Sequence, residues 1–266
     1  MKLWNDVSGV LLDMDGTVYL GDNPIDGAAE FIRRLKDADI PYAFITNNSS
    51  NTRNYYYQRL KRMGFPATED SVITSAVAAA EFIKTERENS KTYVLASPEV
   101  EKELISLGVD VTDENPDIVL LTFDRTMTYG KLNDAYRMIS DGAEFIATHP
   151  DMFCPTEDGY DVDIGPFITL LESLTGTKAK IIGKPEPLML EMASRFLKIN
   201  PNKAVMIGDR LYTDIKMAKD ANIRSVLVLS GETSRDQLNG SDTRSTAVAD
   251  SVADIMIPDK RTSGLY

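Results

Sequence analysis

Two acids one residue apart, Asp13 and Asp15, follow the apolar run Val10-Leu11-Leu12 and lead into Gly16-Thr17. In an extended chain, side chains two apart point the same way, so both acids can face one pocket while Met14 turns into packing. Like charges held that close push their pKa values apart unless a cation lies between them, and either outcome is useful for phosphoryl transfer. Gly16 lets the backbone leave the strand sharply and bring its amides near an anion. An Asp-rich turn with Gly is also common in α/β proteins, so the weight comes from three further segments.

Thr46-Asn47-Asn48-Ser49 ends a second apolar strand just before a helix. Hydroxyl, amide and free backbone N–H groups there can hold phosphate oxygens without adding negative charge, although the same residues suit strand termination and helix capping. In Gly183-Lys184-Pro185-Glu186-Pro187, two prolines fix the backbone around one lysine ahead of another helix. Near Asp13 and Asp15, Lys184 would offset the carboxylates and bind a phosphate oxygen. The run Val205-Met206-Ile207-Gly208 delivers Asp209, with Asp214 five residues later. Asp13, Asp209 and the Asp15 carbonyl could supply the oxygen set that Mg²⁺ prefers, with Asp214 holding a metal-bound water; alternatively Asp214 complements a helix dipole.

The elements that must position these groups alternate between short β-type runs and helical stretches, the pattern of a doubly wound parallel sheet. Strands are expected at Val10 to Leu12, Tyr42 to Ile45, Val72 to Thr74, Ala204 to Ile207 and Val226 to Leu229, with a last strand near Ile255 to Ile257. Helices are expected at 27–38, 52–63, 76–84, 187–197 and 214–221, and a mobile loop or short helix at 237–249. A second alternating series between residues 93 and 174 reads as an insertion, after which Lys180 to Ile182 resumes core-like sequence. The expected organisation is a core domain over 1–85, an inserted α/β cap over 86–179, and the rest of the core over 180–266. Open sheets of this kind bind ligands outside the carboxyl ends of their strands, where all four segments fall.

With 266 residues the chain can bury a full core. Its formal net charge of -12 repels nucleic acid and anionic membrane, so a phosphate ligand needs locally placed positive charge. No uninterrupted apolar run approaches the roughly 18 residues of a membrane span, which points to a soluble, cytoplasmic protein. A single cysteine, Cys154, and a single histidine, His149, argue against an internal disulfide and against zinc catalysis.

Asp-x-Asp-Gly-Thr, Thr-Asn-Asn, Lys-Pro and Gly-Asp-x-x-x-Thr-Asp, in this order, resemble the motifs of the haloacid dehalogenase-like phosphatases. The large insertion and the sequences around Lys184 and Asp209 resemble the NagD-like branch, with its para-nitrophenyl, sugar and nucleotide phosphatases. The resemblance implies a Rossmann-like core with an inserted cap and a Mg²⁺-dependent phosphatase for small phosphate monoesters. Asp13 would attack phosphorus and Asp15 would protonate the leaving alcohol and then activate water. Gly16, Thr46, Asn47, Asn48 and Lys184 would bind the phosphoryl group, and Asp13, Asp15 through its carbonyl, Asp209 and Asp214 would hold the metal. The partner implied is a small phosphorylated metabolite, with no nucleic acid or membrane; a homodimer is the oligomeric state left open. A phosphotransferase or phosphomutase on the same core, or a non-catalytic phosphate-binding protein, are the alternatives. Relatives often carry Asn at the position of His149 and a Pro-Gly pair near Val162-Asp163, so the substrate is not carried over. His149 and Tyr160 are candidate contacts to substrate hydroxyls, and Asp151, Glu157, Asp158, Asp161 and Asp163 candidates for disfavouring negatively charged leaving groups.

Overall fold

Val10, Leu11 and Leu12 are fully buried, as are Val205, Met206 and Ile207, the requirement for parallel strands covered by helices on both faces. The computed structural model, which describes residues 3–156 and 159–257, places these strands in a six-stranded sheet. Its order is Ala247–Ala249, Arg224–Val228, Ala204–Gly208, Gly9–Leu12, Tyr42–Thr46, Val72–Thr74. The chain starts at Gly9–Leu12, builds outward to one side and later returns to build the other, so the strand order reverses at this first strand. Crevices form outside the carboxyl ends of strands at such a reversal. Register fixes what lies there. Leu12 pairs with Ile207 in a parallel ladder and the Asp13 N–H donates to the Ile207 carbonyl at 2.9 Å, so Asp13 and Asp209 leave neighbouring strands at nearly the same level.

The helix Ala28–Asp37 shows how the sheet is covered. Ala28, Phe31, Ile32 and Leu35 recur at helical spacing, all fully buried in a cluster with Val10, Leu12, Phe44 and Val205. Burying each large side chain contributes about 1.5–3 kcal/mol. The helix follows Gly27, whose φ of 75° belongs to the left-handed region and whose added Cβ would lie 2.7 Å from Ala253 Cβ.

The chain divides into two units, one of Met1–Ile45, Tyr56–Val72 and Pro185–Tyr266, the other of Thr46–Tyr55 and Ile73–Lys184. The second has its own five-stranded parallel sheet, ordered Lys180–Ile181, Glu144–Ala147, Ile118–Leu121, Lys91–Leu95, Asp110–Val111. Helices Tyr129–Ser140 and Gly165–Thr175 cover it with Ala135, Ile139, Ile168 and Leu171, which join Val119, Leu121 and Phe145 in one apolar cluster. Thr128 caps the first of these helices by accepting from the Lys131 N–H, and Gly176, at φ 71°, ends the second. An antiparallel hairpin, Phe153–Thr156 with Gly159–Val162, extends from this unit. Among the described residues no helix is long and apolar enough to cross a membrane.

Several local expectations differ from what is found. The final strand is Ala247–Ala249 and not Ile255 to Ile257; Val252–Asp254 forms a 3₁₀ turn closed by a Ser251–Asp254 capping box. Three small residues carry too little apolar signal to stand out as a strand. The short helix expected within 237–249 is Arg235–Gly240, started by a Ser234–Gln237 capping box. Lys180–Ile181 pairs with Glu144–Ala147 in the second sheet, because a two-residue apolar run does not identify its partner strand. The helix expected from Asp214 begins earlier, with a π-helical turn Leu211–Ile215 ahead of Lys216–Asp220. The hairpin was not anticipated, since it alternates weakly around Pro155. Glu157 and Asp158 lie outside the described residues.

Candidate active site

In the first unit, the strand ends gather three buried acids. Asp13, Asp209 and Asp214 are at most 7 % exposed, and one carboxylate oxygen from each lies within 4.8 Å of the others. Glycines make this approach feasible. A Cβ on Gly231 would fall 2.1 Å from Asp209 Oδ2, and one on Gly16 would fall 2.3 Å from the same atom, so two bare backbones close on that carboxylate. Gly16 also sits at φ 84°, which a side chain rarely adopts. The Glu232 N–H donates to Asp209 Oδ2 at 2.6 Å, whereas Asp209 Oδ1 is buried without a hydrogen-bond partner. Asp214 reaches back from the π-helical turn over Gly208, where a Cβ would lie 2.4 Å from its carboxyl carbon, and accepts from the Arg210 N–H at 3.1 Å.

The electrostatics follow from this crowding. Burial, then the charges of Asp13 and Asp214, push Asp209 well above the ordinary carboxylate range. Asp15 keeps an exposed edge, yet the protein packed around its carboxyl, and next the Asp13 charge, raise its pKa; Arg210 and Arg59 pull it back in part. Burial alone would lower the Arg210 pKa, but the charges of Asp13, Asp209 and Glu232 outweigh that and raise it, and its Nε lies 2.9 Å from Glu232 Oε2. An all-carboxylate donor set with an orphaned oxygen fits a hard divalent cation, which would remove the repulsion and satisfy Asp209 Oδ1.

In the second unit, the Asn47 amide brackets Lys184. Its Oδ1 accepts from the Lys184 N–H at 2.8 Å and its Nδ2 donates to the Lys184 carbonyl at 2.9 Å, while Nδ2 also reaches Asp151 Oδ2 at 3.1 Å. Asn47 and Lys184 are 7 % and 3 % exposed. Thr46 Oγ1 accepts from the Asn48 N–H at 3.1 Å, and Asn48 Oδ1 accepts from the Ser50 N–H at 3.0 Å. His149 is fully buried, and Tyr160, on the hairpin, is 76 % exposed.

Residues 10–110 match the family profile described as haloacid dehalogenase-like hydrolase, and residues 181–255 match a HAD-hydrolase-like profile. An acid sugar phosphatase of Staphylococcus haemolyticus is 36 % identical over 239 residues, covering 90 % of this chain and 91 % of the relative. The chain belongs to the haloacid dehalogenase-like hydrolases. The 5'-nucleotidase YutF of Bacillus subtilis is 35 % identical over 246 residues, 92 % of this hydrolase and 96 % of that protein. Among solved structures, a 4-nitrophenylphosphatase from Thermotoga maritima superposes with a TM-score of 0.87 at 37 % identity, covering 93 % of this chain and 95 % of that one. NagD from E. coli also gives 0.87, at 30 % identity over 94 % and 98 %. The family resemblance read from the motifs and the doubly wound fold read from the alternating strands and helices are thereby borne out.

The sequence of this hydrolase also conceals parts of the arrangement. Arg210 was visible only as a letter inside the Gly-Asp motif, and Gly231 and Glu232 belong to no motif. The signal for Gly231 was its place just after the strand Arg224–Val228, the neighbour of the strand that delivers Asp209.

Proposed function

We propose that this hydrolase is a Mg²⁺-dependent phosphomonoesterase for small sugar phosphates or nucleotide monophosphates, working through an aspartyl-phosphate on Asp13. The observation that carries the reading is the buried cluster of Asp13, Asp209 and Asp214, with Asp15 two residues from Asp13 and its pKa raised. The names of the relatives, which include sugar phosphatase and nucleotidase, support the substrate class.

A carboxylate oxygen of Asp13 bonds to phosphorus as the bond to the leaving alcohol breaks, and Asp15 gives that alcohol its proton. Asp15 then takes a proton from water, whose oxygen attacks phosphorus and frees Asp13 and inorganic phosphate. A raised pKa suits a carboxyl that must hold a proton near neutrality and later receive one. Asp13, Asp209, Asp214 and the Asp15 carbonyl would hold the cation, which when bound supplies positive charge against the phosphoryl oxygens. By motif, Gly16, Thr46, Asn47, Asn48 and Lys184 serve the phosphoryl group, and Tyr160 is a candidate contact to the leaving group. In this reading the segment 86–179, together with the strand Lys180–Ile181 that completes its sheet, acts as the cap on a cytoplasmic enzyme. Hydrolysis of a phosphate-ester panel with Mg²⁺ tests the proposal: turnover that Asp13→Asn abolishes is expected, and equal turnover in that variant would refute it.

A further inference from the structure

His149, the single histidine of the chain, is fully buried within the second unit and neither ring nitrogen has a hydrogen-bond partner. Its two nitrogens face different acids: Nδ1 lies 3.4 Å from Asp151 Oδ2, and Nε2 lies 3.6 Å from Asp163 Oδ1. With both acids ionised, a neutral imidazole would turn a lone pair toward one of them, whereas the protonated ring presents N–H to both. One ring nitrogen and one carboxylate oxygen from each acid also lie within 4.8 Å of one another, so a proton and a metal ion are the two occupants that the test must separate. Asp163 is 4 % exposed, and burial raises its pKa while His149 pulls it down.

What lies beyond the pair gives it a consequence. Asp151 accepts from the Asn47 amide that brackets the Lys184 backbone. The residue before Lys184 packs on the same histidine: a Cβ on Gly183 would lie 3.1 Å from His149 Cβ, and the Gly183 N–H donates to the Thr148 carbonyl at 2.7 Å. Asp151, in the loop after Glu144–Ala147, and Asp163, after the hairpin, face the ring, and Lys184 follows the glycine packed on it. We propose that protonated His149, clamped between Asp151 and Asp163, is a positioning residue that sets Asp151, through it Asn47, and thereby the backbone of Lys184. The inference rests on the reading of Lys184 as a phosphate-binding residue. It makes substrate affinity follow the protonation of one imidazole.

The test uses the intact protein. The ring nitrogens of the sole histidine, the Lys184 backbone amide and the Asn47 side-chain amide are followed by NMR through a pH titration, alongside KM and kcat for 4-nitrophenyl phosphate. The ring and both amides should titrate with one midpoint, and KM should rise about tenfold through it, with kcat changing less, as expected for coupled neighbours. Asp163→Asn should move the ring, amide and KM midpoints to lower pH together, and His149→Gln should hold KM high without a transition. A ring that stays neutral throughout, amides that ignore its titration, or a stoichiometric shift of the ring signals by Zn²⁺ would each overturn the proposal. Because the NMR readouts need no turnover, an inactive wild-type protein would count against the phosphatase reading alone.

Discussion

Each unit buries a set of acids, and the two sets differ in how their charge is balanced. Asp13, Asp209 and Asp214 share a small volume, and Asp209 Oδ1 is left without a partner even though the Arg210 guanidinium answers part of the charge. Asp151 and Asp163 instead enclose an imidazole. The difference teaches which set is built for chemistry. Carboxylates that crowd one another favour taking up protons or a cation, which fits the metal site proposed for the first set, whereas in the second set an imidazole lies between the two acids.

The largest expected effect separates the two sets. Asp15→Asn should lower kcat on an alkyl phosphate by about 10² to 10⁴ while leaving the His149 ring signals in place. A loss of activity accompanied by a moved histidine spectrum would mean that the two regions are not independent. Next comes the packing around Asp209. Gly231→Ala forces a Cβ against Asp209 Oδ2, and Mg²⁺ affinity measured by calorimetry should fall about 10- to 100-fold, as when the support of a metal ligand is disturbed. Unchanged affinity would remove Asp209 from the cation site.

The smallest effect is on stability, and its sign is the informative part. Asp15 and Asp209 have folded pKa values above their unfolded ones. The metal-free fold is therefore favoured while these groups are protonated, and it loses stability as pH rises from the ordinary carboxylate range through the raised values. Asp209→Asn removes one buried charge, so the metal-free variant should melt higher than the wild type at neutral pH, by roughly 2–4 °C for each kcal/mol relieved. The gap should narrow toward acid, and Mg²⁺ should raise the melting temperature of the wild type far more than that of the variant. A variant that melts lower at neutral pH would contradict the charge argument.

Much of the first set was legible in the sequence because strand ends and parallel register do the positioning. Once Leu12 pairs with Ile207, the acids that follow must meet. Arg210 and Gly231 were not legible, since what marks them is closeness to Asp209 across the sheet and not local pattern. Two prolines pointed to a held Lys184, but Asn47, which brackets its backbone, stands 137 residues away. Similarly, the unusual residues at His149 and Asp163 could be noticed one by one, while their pairing depends on where the hairpin folds back. Weak, short elements such as Ala247–Ala249 and Lys180–Ile181 were misread because two or three residues carry too little periodicity to identify a strand or its partner.

The central claim is that Asp13 receives the phosphoryl group and Asp15 handles protons. 4-Nitrophenolate leaves without needing a proton, so Asp15→Asn mixed with 4-nitrophenyl phosphate and Mg²⁺ should release one equivalent of product per enzyme and then stall. Mass spectrometry should find the phosphoryl group on the peptide carrying Asp13. A variant that releases no burst, or that carries the group on another residue, would contradict the account.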